Sequence, residues 1–137
     1  MTTDHIVKSF DEDLKKLDNI IAEMGGLAEV QLADAVEALI KRDTELADRV
    51  IAGDKQIDAL EAELDAQATT TLALRQPVAD DLRVTITALR TASLIERIGD
   101  YAKNIAKRSV VLAQSPPLGP TKSIARMATL VQGMTKD

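Results

Sequence analysis

Beginning at Val7, apolar residues recur at Phe10, Leu14, Leu17, Ile21, Met24 and Ala28, in steps of three and four that line one face of a helix. Leu32, Ala35 and Leu39 continue the stripe after one phase adjustment, which predicts a helix over residues 3–42, roughly 60 Å long at about 1.5 Å per residue. Gly25-Gly26 lies inside it, at about 1 kcal/mol per glycine relative to alanine, and is expected either to bend the helix or to admit a close neighbour. Asp43 has the side chain of an N-cap, and a second seam follows at Leu46, Val50, Gly53, Ile57, Leu60 and Leu64. The β-branched run Thr69-Thr70-Thr71 weakens that helix, and Pro77 opens a third over residues 78–113. One apolar row of the third helix is Leu82, Ile86, Leu89 and Ser93, ending in Glu96 and Asp100. The other is Val84, Ala88, Thr91, Ile95, Ile98, Ala102, Ile105 and Leu112. Two rows require two neighbours, and the short connections at Asp43 and Gln76-Pro77 make successive helices antiparallel. The predicted fold is therefore all-α, an antiparallel up-down-up three-helix bundle.

Ser115-Pro-Pro-Leu-Gly-Pro120 stops the third helix, and a new period (Ile124, Met127, Leu130, Val131, Met134) begins after it. Met127-Ala-Thr-Leu130 aligns with Met24-Gly-Gly-Leu27, as expected if a second copy of the unit starts there. The expected organisation is a bundle over residues 1–114, a Pro/Gly linker over 115–121, and over 122–137 a partial fourth helix that opens the second copy.

Composition narrows this picture. With one Phe, one Tyr and no Trp among 137 residues, the core must be built from Ala, Leu, Ile and Val, which suits closely packed helices. The absence of Cys excludes disulfides and thiolate chemistry. The N-terminus has neither the basic residues nor the apolar stretch of a secretory signal, and no run approaches the roughly 18 apolar residues of a membrane span. A soluble, cytoplasmic chain is expected. The formal net charge of -5 argues against nucleic acid or anionic lipid as a general partner.

The candidate chemistry lies in carboxylates. Glu96 with Asp100, and Asp54 with Asp58, form i, i+4 acidic pairs that cost about 0.2–0.5 kcal/mol each on an isolated helix unless a cation neutralises them. Spacing alone decides nothing, because 22 acidic residues in 137 give about three such pairs by chance and three exist, the third being Glu61 with Asp65. Placement adds weight: a glycine precedes both Asp54 and Asp100 and leaves room for a backbone or a bulky ion, and Asp54, Asp58, Glu61 and Asp65 form one acidic row. Carboxylates without Cys or a nearby His make a hard oxygen site, suited to iron, manganese, magnesium or calcium. His5, the only histidine, lies in the N-terminal tail, so the Glu-x-x-His pairs of di-iron oxidases are absent.

Arg83, Arg90 and Arg97 recur every seven residues on the third helix, with Lys103, Lys107 and Arg108 beyond. They either face solvent or pair with acids of the second helix, at about 0–1 kcal/mol per exposed pair, or they present a docking row for an acidic partner or an anion. No nucleophile elbow, phosphate-cradling glycine loop or H-E-x-x-H motif occurs, and the chain is not expected to be an enzyme.

Leu94-Ile-Glu-Arg-Ile-Gly-Asp-Tyr-Ala-Lys-Asn-Ile105 resembles a segment in the third helix of the PhoU family. Met24-Gly-Gly-Leu-Ala28, Arg49-Val-Ile-Ala-Gly-Asp-Lys-Gln-Ile-Asp58 and Arg75-Gln-Pro-Val-Ala-Asp-Asp-Leu-Arg83 fit the same family in the same order. The resemblance implies two repeats of a three-helix bundle, each able to hold a multinuclear iron or zinc cluster. The motifs carried over are Asp54 with Asp58 and Glu96 with Asp100; manganese and magnesium are the alternatives on donor chemistry. It further implies a regulator that restrains the phosphate-starvation response, links a phosphate ABC transporter ATPase to a phosphate-sensing histidine kinase, reaches the membrane only through these partners, and forms homodimers. The competing expectation is a helical protein-interaction scaffold that needs no metal.

Overall fold

A computed structural model of the chain describes residues 3–75, 79–114 and 129–134, with side-chain surroundings for 11–73, 82–114 and 129–134. Three long helices follow one another: α1 (Thr3–Lys41), α2 (Thr44–Arg75) and α3 (Ala79–Leu112). Each packs along the other two. Leu17 of α1 shares a cluster with Leu64 of α2 and Ala92 of α3, whereas Leu32 shares one with Val50 and Ala102. Early α1 thus meets late α2 and early α3, which is the expected up-down-up order. The proposed linker over 115–121 and the start of the fourth helix lie outside the described residues; residues 129–134 are helical, and Thr129 and Gln132 line a cavity of about 220 Å³ with Val36 and Ile40 of α1.

The α1–α2 turn is closed by backbone and cap together. Arg42 adopts a left-handed conformation (φ 57) and the Asp43 N–H donates to the Ala38 carbonyl at 2.9 Å, a Schellman closure without the usual glycine. The Arg42 guanidinium donates to the Ala113 carbonyl at 2.9 Å, tying the turn to the end of α3. The Asp43 carboxylate accepts from the Leu46 N–H at 3.1 Å, as an N-cap contributing about 1 kcal/mol should.

Two local expectations give way. α2 runs through Thr69-Thr70-Thr71 to Arg75, with Thr71 buried and its hydroxyl donating to the Gln67 carbonyl at 2.9 Å. α1 continues through Gly25-Gly26, and neither glycine is needed for a close approach: a Cβ on Gly25 would lie 4.0 Å from Ile95, and one on Gly26 would meet nothing within 4 Å. Neither has a positive φ. Gly26→Ala should therefore stabilise the protein by up to about 1 kcal/mol through helix propensity, read as a higher urea midpoint at unchanged slope. An unchanged or lower midpoint would show that something at this exposed position requires glycine.

The α3 rows are the main correction. Leu82, Ile86 and Ser93 of one row, and Val84 and Leu112 of the other, are exposed. Ala88 and Ala102 of the second row are buried as expected, and Ile95, Ile98 and Ile105 of that row and Leu89 of the first pack partly buried against the core; Thr85, Ala92, Gly99, Ala106 and Ser109, which neither row included, complete a buried heptad seam of small residues. Leu, Ile and Val outweigh Ala in any reading of hydrophobic pattern, yet here the bulky residues flank a narrow seam that lets α3 sit close to both neighbours. The largest fully buried apolar side chains are Leu17, Met24, Ile57, Leu64 and Val50. Each contributes about 1.5–3 kcal/mol, against about 0–1 for an exposed pair such as Lys41–Glu37, so apolar burial decides the packing.

A carboxylate groove between two helices

The α2 seam repeats every seven residues at Ala47, Asp54, Glu61 and Ala68. Two of its four steps are therefore acids turned toward the neighbouring helices. Asp54 is 2% exposed. It lies between two apolar clusters: Val50 and Ala47 pack below it with Ala102, and Ile57 and Leu64 pack above it with Ala92. Gly99 occupies the matching place on α3, where a Cβ would fall 3.0 Å from Ile57 Cδ1 and 3.4 Å from Asp54 Oδ1. On the other side the Gln31 amide of α1 fills the notch over Gly53 and donates to the Val50 carbonyl at 2.6 Å. Both glycines thus make room as expected, but for side chains of adjacent helices.

The four predicted ligands lie along the groove that opens beside this point. Asp54 is held above its ordinary carboxylate range, first by burial and then by the nearby charge of Asp58, with a smaller contribution from Asp100. Lys103 opposes these effects, with Nζ 3.5 Å from Asp54 Oδ2. Asp54 Oδ1 is buried and has no hydrogen-bond donor. Glu96 is half-buried and faces Glu61, whereas Asp58 and Asp100 are exposed at the rim. Glu61 is pushed up to about 7: its carboxyl hydrogen-bonds to Glu96, and burial and the charges of Glu96, Asp65 and Asp58 add to the effect. Glu61 belongs to the site although the motif pairs omit it, and the seven-residue step from Asp54 is the signal that identifies it. Lys103 carries a similar signal, three residues after Asp100 on the same face.

Among the described residues, no group of three or more His, Asp or Glu closes as a single-ion ligand set. The donors are spread along a groove rather than gathered at a point. Their chemistry nevertheless fits a hard cation, because a buried carboxylate oxygen lacks a partner and a second carboxyl must keep a proton to tolerate its neighbour. The arginine row is separate. Arg83, Arg90 and Arg97 are exposed; Arg83 and Arg90 border a shallow groove of about 300 Å³ with Leu82, Ile86 and Thr87. No described helix is long and apolar enough to cross a membrane.

Comparison with known proteins places the same elements elsewhere. The family model described as the PhoU domain matches residues 21–109. A phosphate-specific transport system accessory protein PhoU homolog of Caulobacter vibrioides (strain NA1000 / CB15N) is 46% identical over 136 residues, covering 98% of this chain and 59% of that protein. The homolog of Zymomonas mobilis is 44% identical over 133 residues, covering 97% and 56%. The chain thus spans 56 to 59% of the length of these two curated relatives. The crystal structure of PhoU from Pseudomonas aeruginosa superposes with a TM-score of 0.88 at 36% identity, over 93% of this chain and 61% of that one.

Proposed function

This chain belongs to the PhoU family, and on that premise we propose that it regulates phosphate transport from the cytoplasm, restraining the phosphate-starvation response and moderating uptake. It acts by docking, as an adaptor between a phosphate ABC transporter and a sensor histidine kinase, with no catalytic step of its own. The observation that carries this reading is the match along all three helices to relatives named as accessory proteins of phosphate-specific transport. Rigid helices held by a small-residue seam suit such a role, because their outer faces keep Leu82, Val84, Ile86 and the Arg83/Arg90/Arg97 row available to partners. A bacterial strain lacking its own family member should show a lower phosphate-starvation reporter signal in phosphate-rich medium when this chain is expressed. An unchanged signal with the folded protein present at normal levels would overturn the reading.

For the groove, the family implies metal, and Asp54, Asp58, Glu96 and Asp100 would hold it, with Glu61 beside them. The metal, iron or zinc with manganese or magnesium as alternatives, supplies the positive charge that allows α2 and α3 to bring five carboxylates together. A second reading, a helical scaffold without metal, is favoured by one observation: Lys103 already provides Asp54 with a counter-charge. Plasma mass spectrometry on protein purified without chelator separates the two. Near-stoichiometric metal that is lost in Glu96→Gln/Asp100→Asn supports the metal reading; no metal in either protein, even after supplying it, leaves the scaffold.

A further inference from the structure

We propose that Lys103 is the built-in occupant of the cation position at Asp54, and that a divalent metal enters the groove by displacing the Lys103 ammonium. This rests on the metal reading of the groove and deepens it by naming the competitor that the metal must overcome.

Glu96, Asp100 and Lys103 follow one another on α3 at steps of four and three, so the ammonium projects into the same groove as the two carboxylates. Its Nζ lies 3.5 Å from Asp54 Oδ2. The two side chains differ in freedom: that of Asp54 is 3% exposed and that of Lys103 34%. The carboxylate is fixed and dry, whereas the ammonium sits on a flexible stem and can rehydrate by swinging outward. Lys103 also leaves the site half satisfied. Asp54 Oδ1, on the Gly99 side of the same carboxylate, is buried without a donor. Lys103 brings one charge to Asp54, on which Asp58 and Asp100 also act, and a doubly charged ion neutralises this group better.

Both cations cannot hold Asp54 at once, because an ammonium and a divalent ion a few ångströms apart repel strongly in a partly dry groove. Lysine and metal therefore exclude each other. The fraction of molecules with Lys103 withdrawn sets the apparent affinity, so the site fills only above a metal concentration fixed by the strength of the Asp54–Lys103 pair. Loading would also deliver the Lys103 ammonium to the outer surface of α3, changing the charge a docking partner meets.

The test is calorimetric titration of the full chain with Mn2+, comparing the parent protein with Lys103→Met, which keeps the apolar stem, and Lys103→Arg, which keeps the charge. Lys103→Met should bind about tenfold more tightly, and Lys103→Arg should stay close to the parent. A second readout needs no variant: the labelling rate of Lys103 by an amine-reactive reagent, followed by peptide mass spectrometry, should rise several-fold on Mn2+ saturation while that of Lys41 stays constant. Binding of equal affinity in the parent and Lys103→Met, with no change in labelling, overturns displacement and leaves the metal reading standing. If none of the three proteins binds Mn2+ or another divalent cation, both readings are overturned.

Discussion

Gly99→Val should destabilise the bundle by about 3 kcal/mol. A valine Cβ at this position starts 3.0 Å from Ile57 Cδ1 and 3.4 Å from Asp54 Oδ1, and its two methyl groups must go further into the same space. Ile57 is completely buried and Asp54 nearly so, so both must shift within a packed interior. Helix propensity acts the other way, since leaving glycine gains up to about 1 kcal/mol, but overpacking a tight core costs about 1–3 kcal/mol and crowding the unpartnered carboxylate oxygen adds to it. Gly99→Ala, with a single methyl, should come out near neutral. Urea unfolding of both variants checks the ordering. A loss below about 1 kcal/mol for valine would mean that α3 can shift away from α2 at little cost.

A second large effect is expected on pH. Stability of the metal-free protein should fall as pH rises from about 4.5 toward 7. In the unfolded chain Glu61 titrates at its ordinary 4.5, whereas in the fold it is pushed up to about 7, because its hydrogen bond to Glu96 requires the proton. Between these values the folded protein retains a proton that the unfolded chain has released, so raising the pH favours unfolding. The benefit is complete below 4.5 and lost above 7. Asp54 shifts in the same direction. Each unit corresponds to about 1.4 kcal/mol, but Glu61 is only half-buried and water screens its neighbours, so about 1 kcal/mol is the expected loss over the range. Glu61→Gln keeps a donor toward Glu96 without the titration. It should match the parent near the acid end and exceed it by about 1 kcal/mol at mildly alkaline pH. The same stability difference at both pH values would remove Glu61 as its source.

The α1–α2 junction was legible because it depends on local chemistry: Asp43 caps α2. The bundle order followed from the short connections. On α3 the row through Ala88, Ile95, Ile98, Ala102 and Ile105 was legible, but Ala92 and Ala106 were not, because alanine gives a weaker signal than the exposed Leu82, Ile86 and Val84 beside them. The paired acids were visible, but their unequal burial was not. A carboxylate in a heptad seam resembles any surface acid until the residue opposite it is known, and Gly99, the residue opposite Asp54, lies 45 positions later. Lys103 and Glu61 escaped for the same reason: one joins the site across the α2–α3 interface, and the other through a period of seven rather than four.

The small-residue seam has a mechanical consequence. Helices that interlock through large side chains resist sliding along their axes, because each knob must climb out of its hole. The alanines of α3 leave shallow holes along its centre, so axial position depends on the flanking Leu89, Ile95, Ile98 and Ile105 and on the few polar and glycine features between them. One is the notch at Gly99, which receives Ile57. Another is the Asp54–Lys103 pair one turn further along. The Asp54–Lys103 contact thus acts as the detent of a slide, and its strength helps hold α3 in register.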